Sequence, residues 1–198
     1  GKIKDRITYR NNGHDHSGTY YYENGKIHKE VAFHSEKPTG TWKFFNMNGP
    51  ISVVEHYDIH GRLSGTKTIY DSLGNKSREE PFINGVLTGL VTNYFPSGKT
   101  ESTVMYAGNR RNGDYQSYYP GGKPDCKGTY RSDRETGKWT CLFENGHTRK
   151  VSNWKEGTLI NSREFTEAGQ NAGNASSPGP KPADAESAGG QNKGAEPK

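Results

Sequence analysis

The chain has 198 residues, a hydrophobic fraction of 28%, a mean hydropathy of −1.07 and a formal net charge of +5. No apolar run approaches the ~20 residues of a membrane-spanning helix. The positive excess is mild and spread along the sequence, whereas a nucleic-acid-binding protein more often concentrates it in one patch. We therefore expect no nucleic-acid partner.

The chain opens in the middle of a pattern. Residues 1–9 (GKIKDRITY) and 25–33 (GKIHKEVAF) both begin with Gly-Lys-Ile and end on an aromatic residue, 24 positions apart. We expect segment 1–9 to be the second strand of a unit whose first strand lies outside this chain.

The unit recurs along the chain, and a glycine marks it every 24 or 25 residues. An aromatic residue stands eight positions after each of these glycines. The marking glycines are Gly1, Gly25, Gly49, Gly74, Gly98, Gly122 and Gly146. Turns such as ENGK and PSGK place Gly where a tight hairpin needs a positive φ, and the flanks are rich in Tyr, Val, Ile and Thr. Each unit is therefore predicted to be a β-hairpin.

A repeat of this size is stabilised by stacking on its neighbours. The sequence predicts an all-β fold over residues 1–165, an elongated antiparallel meander of β-hairpin repeats with about 24 residues per unit. Residues 166–198 contain no aliphatic side chain larger than Ala and are rich in Gly, Ala, Pro, Ser and Asn. This composition is typical of a disordered, low-complexity tail.

The repeat resembles the MORN-repeat variant family (membrane occupation and recognition nexus). The resemblance rests on segments such as GTWKFFNMNGPISVVEHYDIHGRLSG (40–65) and GDYQSYYPGGKPDCKGTYRSDRETG (113–137), and it covers about residues 1–165. The first unit departs from the pattern, with His16 where later units have Gly. The resemblance implies a scaffold or a module that contacts partners or membranes, and bacterial members are often described as antitoxins.

The sequence predicts no catalytic residue, cofactor or metal site, and no small-molecule substrate. His14, His16, His34 and His60 fall on polar links between hairpins, and their spacing matches no metal-binding motif. Acidic residues stand beside Lys or Arg, as in KSREE, which indicates cross-strand pairing on a solvated face. The glycines punctuate hairpins and do not form a phosphate-binding loop.

Two irregular aromatic columns are candidates for binding a protein partner, because Tyr and Trp are common interface anchors. Members of the two columns stand an even number of residues apart on each strand, so both columns are predicted to lie on one face of the sheet, opposite the recurring Tyr/Phe column. The alternative, which stays open, is that these aromatic residues only shield the faces of a single-layered sheet from solvent. The candidate residues are Trp42, Tyr115 and Trp139 in the first column, and Tyr22, Phe95, Tyr119 and Phe143 in the second.

Cys126 and Cys141 flank the link 131–136 symmetrically. If that link closes symmetrically, the two cysteines face each other within disulfide reach; two free thiols are the alternative. The leading expectation is a non-enzymatic scaffold that binds a protein, antitoxin-like if the family association holds, and the alternative is a cell-envelope or membrane-surface module. The compartment stays open, with an exported or envelope location slightly favoured over the cytoplasm.

Overall fold

Consecutive strands of the chain pair with each other to form one antiparallel sheet. The computed structural model describes residues 4–173, and all statements below concern that range. Its strands are β1 (Asp5–Arg10), β2 (Asp15–Tyr21), β3 (Ile27–His34), β4 (Lys37–Pro38), β5 (Gly40–Phe45), β6 (Ile51–Tyr57), β7 (Gly65–Tyr70), β8 (Lys76–Ile83), β9 (Val86–Leu87), β10 (Gly89–Tyr94), β11 (Thr100–Ala107), β12 (Arg110–Tyr118), β13 (Pro124–Arg131), β14 (Arg134–Leu142), β15 (Thr148–Lys155), β16 (Thr158–Phe165) and β17 (Asn171–Gly173). The predicted all-β meander is confirmed.

The strand order follows the chain. Each strand pairs antiparallel with the next, except that the two-residue strands β4 and β9 pair only with β3 and β8, and these pair in turn with β5 and β10. Among the described residues, β1 pairs only with β2 and β17 only with β16, so these strands form the two edges. A 3-10 turn at Asn11–Gly13 joins β1 to β2, and no helix in this range is long and apolar enough to cross a membrane.

The predicted turn glycines all have positive φ from Gly25 onward, with values between 80° and 116°. In each such turn the glycine N–H donates to the carbonyl three residues earlier, as from Gly98 to Phe95 O at 2.8 Å. The ladder shifts its register beside these turns, for example between Asn93 and Tyr94. This combination is the three-residue hairpin loop with a glycine bulge.

The segments predicted as polar links are themselves tight hairpins. Ser35–Glu36, Asn84–Gly85 and Ser132–Asp133 have positive φ at both residues, as a type I′ turn requires. These turns also bond to the strand that follows the preceding turn of this kind, since Asp133 N donates to Arg111 O on β12 at 2.9 Å and Gly157 N to Glu135 O on β14 at 2.9 Å. The links therefore stack units as well as reverse the chain.

The repeat extends beyond residue 165. Phe165 stands four residues before Gly169, the spacing of earlier units, and Gly169 has φ 80° and donates to Thr166 O at 2.8 Å. The following strand β17 pairs with β16. Thus residues 166–173 of the predicted tail form a hairpin turn and a short strand, while 174–198, like residues 1–3 of the predicted half-unit, lie outside the described residues.

One face of the sheet holds the buried side chains, and we call it the core face. The register places every buried side chain on that face. Its central cluster consists of Val91, Val104, Tyr115, Tyr130 and Trp139. On the same face the recurring aromatic residues stand directly opposite glycines, as Tyr130 does opposite Gly113 and Trp154 opposite Gly137. These rings shield bare backbone, as aromatic rescue of glycine does.

Charged residues cross the middle of the core face. Glu55 binds Lys67 at 3.2 Å, and Arg78 donates to Glu80 at 2.7 Å, where Glu80 is only 7% exposed. Burial, followed by the hydrogen bond to Glu55, raises the pKa of Tyr57. The expectation that such charge pairs lie on a solvated face is wrong for these residues, because their strands turn them inward.

Candidate interaction surface

The first column of predicted binding residues belongs to the core. Tyr115 and Trp139 are each 8% exposed, and their rings stack at 5.3 Å between centroids. Both also contact Tyr130, at 5.9 and 5.0 Å. Trp42 is half-buried against Phe33, at 5.0 Å. A partner cannot reach Tyr115 or Trp139 without opening this packing, so the structure contradicts an accessible contact face there.

The error lies in the assignment of faces. Gly40 stands opposite Tyr57, and Trp42 is two residues further along the same strand. Residues opposite each other or two apart share a face, so Trp42 lies on the same side as Tyr57, and their rings are 5.0 Å apart. The first column therefore lies beside the recurring aromatic residues eight positions after the glycines, not opposite them.

The second column sits just past the strand ends, in the glycine turns. Its four members, all half-buried, are Tyr22, Phe95, Tyr119 and Phe143. Two of them bond to the next unit: the Tyr22 hydroxyl donates to Phe45 O at 2.6 Å and the Tyr119 hydroxyl to Leu142 O at 2.7 Å. These tyrosines hold neighbouring units together, and their partner-binding role stays a prediction.

Cys126 and Cys141 stand opposite each other on β13 and β14, and the structure joins them in a disulfide. The two strands meet through the tight turn at Ser132–Asp133, which supplies the symmetric closure that the pairing needs. Arg149 lies beside the bridge, with Nη2 2.8 Å from Asp125 Oδ1 and 3.7 Å from Cys126 Sγ.

The histidines near the N-terminal edge make local contacts. His34 Nδ1 bonds Asp15 at 2.5 Å, and this hydrogen bond holds the pKa of Asp15 below its ordinary value. His16 stacks on Phe33 at 4.5 Å, filling the place that glycine takes in later units. Within residues 4–173, no three His, Cys, Asp or Glu side chains cluster closely enough to hold a metal ion.

The side of β12–β16 opposite the core face carries seven of the ten Lys and Arg side chains in these strands, and we call it the basic face. The register places seven exposed cationic side chains there against one carboxylate, Asp114. The seven are Arg110, Lys127, Arg131, Arg134, Lys138, Lys155 and Arg163. Asp125 and Arg149, at the bulges beside the turns, neutralise each other and are not counted.

Within the part of the chain that the structure describes, the cations of the basic face have no counterion. None of the seven forms an ion pair with any residue in 4–173, whereas Lys150 on the core face binds Glu164 at 3.0 Å. Arg131 and Arg134 even stand directly opposite each other at the closing pair of a hairpin. Like charges in that position destabilise a sheet, so folding alone does not explain them.

A groove of about 500 Å³ crosses β10–β14 on this same side. Its lining combines threonine hydroxyls, one amide, three charged groups and one leucine. The lining residues on this side are Leu90, Thr103, Asp114, Gln116, Lys127, Thr129, Lys138 and Thr140. Leu90 is 50% exposed and stands opposite Met105, which is 37% exposed.

The basic face is not apparent from the overall charge of the sequence. The net charge looked dispersed because cations alternate with core residues along each strand, as in 137–140, where Gly137 and Trp139 point to the core and Lys138 does not. The signal in the sequence was the spacing of each Lys or Arg from the glycine and aromatic residues of its strand. An odd spacing places the cation on the side opposite the core, provided that the spacing is counted separately on each side of a bulge.

Comparison with known families agrees with the repeat. A family model described as a MORN repeat variant matches residues 18–34, 87–107 and 111–132. These segments span the β2–β3, β9–β11 and β12–β13 hairpin regions of the sheet. These three segments are similar to MORN-variant repeats. A search of curated proteins finds no match to the chain. MORN repeats are generally non-catalytic and commonly provide scaffolds for protein or membrane interactions.

Proposed function

We propose that this MORN-repeat chain is a non-catalytic scaffold that binds a protein partner on the solvent-facing side of β10–β14. The groove carries the proposal, because it is a concave surface that five adjacent strands expose while their aromatic side chains are occupied in the core. Repeat proteins use such extended concave surfaces for binding. An antitoxin-like role, with a toxin as the partner, is one case of this proposal.

The lining of the groove supports a protein ligand. Gln116 and the threonines can both donate and accept hydrogen bonds, as a polypeptide backbone requires. Leu90, half-exposed at one end, offers an apolar contact. A mixture of polar groups around a small apolar contact is typical of non-obligate protein interfaces.

The test fills the groove without changing its charge. Thr129→Tyr and Thr140→Tyr place rings in the groove, and tyrosine is well tolerated in strands. Thr41→Tyr and Thr66→Tyr are matched controls, since both threonines are exposed strand residues outside the groove. A partner is captured from extracts of the source organism, purified, and recombined with each variant in isothermal titration calorimetry.

We expect a stoichiometric complex that the groove variants weaken by about tenfold or more, the loss of roughly 1.4 kcal/mol, while the controls bind like the wild type. If no protein forms a stoichiometric complex and the chain instead co-sediments with lipid vesicles, the membrane-surface alternative replaces the proposal. Equal weakening by groove and control variants would place the binding surface elsewhere.

A further inference from the structure

We infer that the segment of the partner that docks here is acidic and crosses the basic face from β12 to β16. The inference rests on the proposed function, since it assumes a protein partner, and it adds the chemistry of the contact. Four inter-strand spacings separate β12 from β16, a distance of about 19 Å. An extended chain covers that distance with roughly six residues.

Within residues 4–173, the charge of the basic face is uncompensated. On the core face of the same strands, Arg111 pairs with Asp133 in the adjacent turn and Lys150 pairs with Glu164 on the neighbouring strand. The seven cations of the basic face do not, and all are exposed. A partner that brings carboxylates would complement this field and accelerate encounter.

The tip of the β13–β14 hairpin presents two like charges. Arg131 and Arg134 face each other across the turn at Ser132–Asp133, and Arg110 follows the preceding turn. A carboxylate placed between two guanidinium groups accepts paired hydrogen bonds from either one. The arrangement that costs stability in the free chain therefore favours an acidic ligand.

The groove favours an acidic polypeptide over a nucleic acid. Asp114 lies in the lining, where it would repel a phosphate backbone but can accept a peptide N–H. Single-stranded nucleic acids bind largely by stacking bases on exposed rings. The one aromatic residue in the lining, Tyr115, is 8% exposed and committed to the core. Leu90 adds an apolar contact for a side chain of the peptide.

The experiment uses the full chain and a labelled probe peptide of alternating Glu and Leu, followed by fluorescence anisotropy at low and at physiological salt. Lys127→Glu/Lys138→Glu reverses two charges in the groove. Lys4→Glu/Lys123→Glu makes the same change in net charge at exposed positions outside the basic face. Thermal melting of each variant checks that the fold is retained.

We expect the groove variant to lose about thirtyfold in affinity, because two attractions become two repulsions of modest size each. The control should bind within about twofold of the wild type, and added salt should weaken wild-type binding. Unchanged binding of the groove variant, or an equal loss in the control, would overturn the inference.

The double change Arg131→Gln/Arg134→Gln should affect thermal stability and peptide binding in opposite directions. Removing the like-charge pair should leave the melting temperature equal or higher, while binding of the acidic peptide weakens. Loss of stability together with binding would show that these arginines act in folding and would contradict the assignment.

Two further probes separate the inference from the proposed function. Mixed-sequence single-stranded DNA and phosphatidylglycerol vesicles present anions without a polypeptide, and tighter binding of either one than of the peptide would overturn the acidic-peptide inference. If the captured protein complex forms but survives Lys127→Glu/Lys138→Glu, the proposed function stands and the inference fails. If no protein complex forms, the proposed function fails first.

Discussion

Replacing Gly128 by alanine should destabilise the fold, although the backbone of Gly128 lies outside the left-handed region that needs glycine. The indole of Trp139 covers this glycine. A Cβ at position 128 would lie 2.0 Å from Trp139 Cδ2 and 2.2 Å from Cε2, far inside contact distance. Tyr115 and Tyr130 pack against the indole, so it has little room to move away.

The expected cost follows from overpacking a well-filled core, which typically destabilises by 1–3 kcal/mol. Because the added methyl group meets a ring held by two others, we expect about 3 kcal/mol, or a fall of roughly 9 °C in melting temperature for a chain of this size. Urea denaturation followed by tryptophan fluorescence and thermal melting followed by circular dichroism measure both quantities.

Two controls define the outcome. Without the ring, Gly→Ala at a compatible backbone position stabilises by about 0.4–1 kcal/mol, so the sign of the effect decides the question. Gly121→Ala, whose new methyl group meets only Glu144 Oε1, should be neutral or slightly stabilising. Gly128→Ala/Trp139→Val should cost less than the sum of its single changes. A stabilising Gly128→Ala would refute the packing described for Trp139.

The disulfide, the acid sensitivity of one carboxylate and the open edge each yield a further prediction. Changing Cys126 and Cys141 together to alanine should remove about 3 kcal/mol of stability, and air-oxidised protein that keeps two free thiols by mass spectrometry would contradict the pairing. The hydrogen bond from Lys76 lowers the pKa of Glu79. The stability that this bond contributes is therefore present above the ordinary glutamate pKa of 4.5 and is lost as the pH falls through the lowered value. Glu79→Gln should flatten the acid unfolding curve in that pH window, and an unaltered curve would count against the Lys76–Glu79 pair. Amides of Asp5–Arg10 should exchange faster than those of the central strands, and equal protection would contradict an open edge at β1.

The sequence was sufficient for the period and the hairpins, and for the pairing of the strands that carry Cys126 and Cys141. Gly98 and its equivalents can be recognised in the sequence as turn residues, because a tight turn with positive φ strongly favours glycine. The aromatic residues opposite the glycines follow from the same period, as Tyr130 opposite Gly113 shows. The positions of Cys126 and Cys141 relative to the link also predicted their meeting, because the link closes in a two-residue turn.

The faces could not be assigned from parity alone. Each glycine turn carries a bulge, which shifts the ladder by one residue and alters the alternation at the strand end. Tyr22 thus lies in a turn and not on a strand face, and Trp42 lies with Tyr57. The link at Ser132–Asp133 was also hard to recognise, since neither residue is the glycine or asparagine that a type I′ turn favours.

Burial was the other property that the sequence did not supply. The irregular aromatic residues looked available because a single sheet was expected to leave both sides open, yet Val91 and Val104 are fully buried beside Tyr115. Because these rings belong to the core, the basic face is a surface of distinct chemical character that stays exposed.

Lysine acetylation footprinting of the purified chain, free and in complex with its captured partner, tests the central claim most directly. Each exposed lysine is scored by mass spectrometry, so the binding surface is mapped on one scale. We expect Lys127 and Lys138 to be protected in the complex, while Lys4, Lys26 and Lys123 stay as reactive as in the free chain. Protection of the latter three with Lys127 and Lys138 left reactive would contradict binding at the groove.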